Sequence, residues 1–103
     1  MKNMPKFYQK MQSEYQDVMQ AISHLGKATK EAGSLDEKQV QLIQLAAAAA
    51  QRSEGAVHSH TRRALEAGVP ADDIRHALIV LTSTIGYPNV AAAMSWAEDI
   101  LEK

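Results

Sequence analysis

Between Met4 and Leu25 the apolar residues Met4, Tyr8, Met11, Tyr15, Val18, Ile22 and Leu25 recur at alternating spacings of four and three. This is the a/d spacing of a coiled coil. It predicts one helix of about three heptads, with Pro5 in the first turn, where a missing N–H is tolerated. Such a stripe packs either on the rest of its own chain or on a second copy. Gly26 and the polar run after it, Lys27 to Gly33, should end the helix and form a linker.

A second pattern begins at Ser34, which is followed three residues later by Glu37 in the manner of a capping box. It predicts a helix from Leu35 to about Gln51 that buries Val40, Ile43 and the run Leu45 to Ala50, whose alanines permit close helix approach. A third helix is expected from Glu54 to Ala67, with Gly68 supplying the left-handed residue at its end. Asp72 and Asp73 suit the N-terminal dipole of a fourth helix, Ala71 to Ile85. Its apolar positions Ile74, Ala77, Leu78, Val80 and Leu81 make it central. The Gly86 to Val90 stretch breaks the chain, and a last helix is expected from Asn89 to Leu101. The expectation is therefore an all-α, compact domain of about five helices: residues 1–33 as N-terminal helix and linker, residues 34–103 as core.

Composition narrows the chemistry. One domain of 103 residues buries only about two thirds of its unfolded surface, so self-association is a common remedy at this size. Eleven basic against twelve acidic residues give a net charge of −1, which argues against a nucleic-acid surface or a polybasic membrane surface. There is no cysteine, which removes disulfides, thiolate metal sites and thiol catalysis. The N-terminus has no apolar signal core, and Leu45 to Ala50 falls far short of the ~20 residues needed to cross a bilayer. A cytoplasmic protein is the expectation.

The stretch "RSEGAVHSHTRRALEAG", Arg52 to Gly68, has the look of an active-site helix. Together with its flanks, "LDEKQVQLIQLAAAAAQRSEGAVHSHTRRALEAGVPADDIRHAL", it resembles the core of the carboxymuconolactone decarboxylase and alkylhydroperoxidase D-like superfamily, in its Cys-Glu-Gly-Cys branch. Leu35-Asp36, Leu42-Ile43, the alanine run, Arg52, Glu54-Gly55, His60, Ala64, Gly68 and Asp73-Ile74 fall at that family's spacing. Gly86 and Pro88 match its later turn loosely. The resemblance implies an alkylhydroperoxidase D-like helical fold and trimers or hexamers; no cofactor is expected.

It also implies a site. The redox members use a Glu, a Cys-x-x-Cys pair and a His: a helix N-terminus activates one thiol, the second resolves the oxidised intermediate, and Glu and His relay the proton. At those positions this chain has Gln41, Ser53, Ala56 and His60. Gln41 keeps the shape of Glu but does not take up a proton. Ser53 keeps a hydroxyl whose ordinary role there is to cap the helix. Ala56 removes the resolving group. The resemblance thus implies a degenerate peroxidase site in which only His60 is retained, with a non-redox or binding role.

Other chemistries remain open in the same stretch. The decarboxylase branch would place His60 with an acid in lactone protonation, and Glu54 is the candidate acid. Glu54 and His58, one helical turn apart, could share a divalent metal if another element supplied a third ligand; the commoner reading is a solvated pair on a helix face. A Ser53 nucleophile served by His60 meets a geometric objection, since seven residues of helix separate them by roughly 10 Å. His24 and His76 read as surface residues. Tyr87, Met94 and Trp96 could line a small organic ligand, or belong to the core or a subunit contact.

Overall fold

The computed structural model describes residues 5–102 and is helical throughout, with no strand among the described residues. Seven helices follow one another: α1 (Lys6–Glu14), α2 (Gln16–Glu31), α3 (Glu37–Ala50), α4 (Glu54–Glu66), α5 (Ala71–Ile79), α6 (Thr82–Ile85) and α7 (Tyr87–Leu101). Two of the five expected helices are each divided in two. The chain separates between Ser34 and Leu35 into two compact units.

In the first unit the expected single helix breaks at Tyr15, whose φ of −130° and ψ of 53° leave the helical region. Hydrogen bonds continue on both sides, from Tyr15 N–H to the Met11 carbonyl and from Met19 N–H to the Tyr15 carbonyl. The apolar spacing runs through the break, so spacing alone does not reveal it. Gly26 does not end the helix, which continues to Glu31. One glycine costs a helix only about 1 kcal/mol relative to alanine, and Lys27, Ala28, Lys30 and Glu31 are good helix formers that outweigh it. Met4, the first residue of the stripe, lies outside the described residues. Val18, Ile22 and Leu25 of α2 are more than half exposed.

The second unit is a bundle built around α4, which packs against α3 on one side and α7 on the other, with α5 also against α3 and α7. The capping box of α3 is present two residues later than expected. Asp36 Oδ1 accepts from Gln39 N–H at 2.8 Å, and Gln39 Oε1 accepts from Asp36 N–H at 2.9 Å. Aspartate caps as well as serine, and the two possible boxes overlap in sequence. Gln41, Leu45, Ala48 and Ala49 of α3 are buried, while Ile43 is 54% exposed, contrary to its expected place in the core. At about 100° per residue, positions 41, 45 and 48 share one face and 43 lies opposite.

Both ends of the α3–α4–α5 path close with the same device. Gly68, at φ 96°, follows α4; its N–H reaches the Leu65 carbonyl, and Val69 N–H reaches Ala64. After α3 the left-handed position is occupied by Arg52 at φ 55°, with Arg52 N–H on Ala49 and Ser53 N–H on Ala48. The Arg52 guanidinium then bonds Asn89 Oδ1 near the start of α7.

The expected fourth helix stops at Ile79, where the Thr82 hydroxyl donates to the Ile79 carbonyl at 2.7 Å in competition with the helical ladder. Val80, expected in the core, is 56% exposed. The last helix begins at Tyr87, ahead of Asn89, because a helix tolerates Pro88 in its first turn. Ile74, Leu78, Val57, Ala64, Ala93 and Ala97 complete the core with Leu45. Arg75 ties α5 to α7: Nε and Nη2 donate to the Glu98 carboxylate at 2.9–3.2 Å, and Nη1 donates to Asp72.

Candidate functional site

Gln41 lies on the buried face of α3 and His60 on α4 opposite it. Gln41 is fully buried, and both ends of its amide are engaged. Nε2 donates to Glu37 Oε1 at 2.8 Å, one turn earlier on the same helix. Oε1 lies 2.9 Å from His60 Nδ1. Since the amide nitrogen is committed to a carboxylate, the oxygen must be the group facing the ring. His60 Nδ1 therefore carries a proton and donates it to that oxygen.

The arrangement holds the His60 ring in one orientation, with Nδ1–H as donor. It does not relay protons from Glu37 to His60, because an amide between them neither takes up nor releases a proton near neutral pH. From sequence Glu37 was read only as the capping-box partner of Ser34. Its only signal as a partner of Gln41 was the i, i+4 spacing, which any helix offers many times.

Ser53 is the N-cap of α4, its Oγ accepting from Ala56 N–H at 3.4 Å. That is the ordinary role expected of a serine there. Ala56 is partly buried and packs against the hydrophobic core. Register thus brings Gln41 and His60 into contact, with Ser53 and Ala56 at the start of the same helix.

Glu54 and His58 are grouped elsewhere. His58 Nε2 lies 2.9 Å from Asp99 Oδ2 on α7. One ligand atom from each of Glu54, His58 and Asp99 lies within 4.8 Å of the others. Two residues apart on a helix, His58 and His60 point about 200° from one another. The first meets α7 and the second α3.

Of the expected ligand-lining residues, Met94 and Trp96 pack partly buried against the core, and Tyr87 is 67% exposed. His24 and His76 are exposed, as their positions predicted. Thr61, next to His60, is fully buried, and its hydroxyl has no hydrogen-bond partner among the described residues. Near Asp99, Arg75 holds the Glu98 carboxyl below the usual glutamate range through their hydrogen bonds, and Glu98 in turn raises the Arg75 guanidinium.

The model of the carboxymuconolactone decarboxylase family matches residues 16–99. The match starts at the first residue of α2, earlier than Leu35, where the resemblance in sequence begins. No curated protein and no solved structure matches the chain.

Proposed function

The chain belongs to the carboxymuconolactone decarboxylase family, and from that premise we propose that it is a member whose dithiol peroxidase site has become a structural hydrogen-bond bridge. Its role is then non-redox: binding a small organic molecule or acting through assembly. The observation that carries this reading is Gln41, fully buried and saturated between Glu37 and His60. A carboxylate in that place could accept the thiol proton; the amide locks the ring instead. Ala56, packed in the core where a resolving thiol would stand, supports the same conclusion.

The test is a hydroperoxide assay with a small dithiol as electron donor. The wild-type chain should show no turnover, and the combined variant Gln41→Glu, Ser53→Cys, Ala56→Cys should gain dithiol-dependent peroxide reduction. In that variant the first thiolate would take one peroxide oxygen as sulfenic acid and release the alcohol. The second thiol would then form the disulfide and release water. Wild-type turnover that survives controls for trace peroxidase overturns the proposal.

A second reading is an acid/base enzyme on a small lactone or carboxylic acid, with His60 and Glu54 in proton transfer. It is favoured by the fixed orientation of the His60 ring, held through Nδ1 by Gln41. Glu54 has its near neighbours in His58 and Asp99. Decarboxylation of a carboxymuconolactone-type substrate, abolished by His60→Ala, would select this reading over the first.

A further inference from the structure

We propose that Glu54, His58 and Asp99 form a binding site for one divalent transition-metal ion of the zinc class. The donors come from two helices of the same unit. Glu54 and His58 stand one turn apart at the start of α4, and Asp99 lies near the end of α7. Any i, i+4 Glu and His pair offers two ligands. The tertiary fold adds the third, the one that sequence spacing cannot supply.

Distance and charge both fit. Ligand atoms around a tetrahedral zinc sit about 3.3–3.6 Å from one another, given bonds of about 2.0–2.2 Å. His58 Nε2 and Asp99 Oδ2, now hydrogen-bonded at 2.9 Å, need part by only about half an ångström to admit the ion, and all three donors fall within 4.8 Å. The carboxylate rotamers close the remaining gap. Two carboxylates and a neutral imidazole balance a doubly charged ion, whereas a protonated His58 balances only one of the two acids. Among the described residues Glu54 has no hydrogen bond or ion pair, so no competing partner draws it away. The next acid along α7, Glu98, is committed to Arg75, which leaves Asp99 as that helix's donor.

One nitrogen and two oxygens select borderline cations such as zinc, cobalt or nickel over the softer ions that thiolates take. Three protein ligands also leave at least one coordination position for water or an anion. The bound ion would bridge α4 to α7 on the side of α4 away from His60, so its binding is independent of the Gln41 bridge.

Isothermal titration of the chelator-treated full chain with zinc chloride should give one-to-one binding at micromolar metal. Cobalt chloride should give visible d–d bands that zinc abolishes. His58→Ala and Asp99→Asn should each weaken binding by at least about tenfold, whereas the double variant His24→Ala, His76→Ala should bind as the wild type does. Zinc should raise the melting temperature of the wild type and not of Asp99→Asn. Circular dichroism shows whether each variant is folded. If His58→Ala unfolds, Glu54→Gln and Asp99→Asn carry the same comparison. Absence of stoichiometric binding, or unchanged affinity in folded Asp99→Asn, overturns the proposal.

Discussion

Two fully buried polar residues, Gln41 and Thr61, stand in opposite situations. Gln41 has partners at both ends of its amide, and Thr61 Oγ1 has none among the described residues. A buried hydroxyl without a partner loses its water and gains nothing in return, at a cost of about 1–3 kcal/mol. Thr61→Val keeps the branched shape and removes that hydroxyl; urea unfolding should show it neutral or stabilised by about 1 kcal/mol. Gln41→Leu removes two buried hydrogen bonds and should destabilise by about 1–3 kcal/mol in the same measurement. A clear loss of stability in Thr61→Val would mean that the hydroxyl has a partner in solution. Family register picked Gln41 and His60 out of the sequence. It did not pick out Glu37 or Thr61, because burial and partnership depend on which helix lies opposite.

Among the helices, the α3–α4 turn and the α5–α7 tie set the frame of the site. Arg52 takes a left-handed conformation that disfavours side chains with a Cβ by about 1–2 kcal/mol. That turn places Ser53 both at the end of one helix and at the head of the next. Gly68 advertised its own turn in sequence; an arginine advertises nothing, so this one was legible only from the backbone. The α5–α7 tie gives a pH dependence. Glu98 has its pKa lowered in the folded state by Arg75, so its contribution to stability is fully present above the unfolded glutamate value, about 4.3. It is lost as the pH falls through the lower, folded value. Thermal melts between neutral and strongly acidic pH should show Glu98→Gln losing less stability than the wild type over that window. Parallel acid limbs for the two proteins would contradict the linkage.

For the whole molecule, the exposed apolar residues of α2 bear on association. Val18, Ile22 and Leu25 sit at heptad spacing and stand 51%, 56% and 64% exposed. Sedimentation velocity at micromolar concentration should therefore report a trimer or hexamer, and Val18→Ser with Ile22→Ser and Leu25→Ser should shift it toward monomer. A monomeric wild type would count against both the resemblance-based expectation and the stripe. No helix among the described residues is long and apolar enough to cross a membrane. The sequence by itself determined the all-α class, the near positions of the core helices, the family register and the absence of thiols. These follow from local periodicity and from residue identity. Tertiary structure decided that Ile43 and Val80 face outward, that Glu37 completes the Gln41 bridge, and that Asp99 joins Glu54 and His58. The physical reason is the same in each case. Spacing along one helix says which residues share a face, but only the packing of helices distant in sequence says what that face meets.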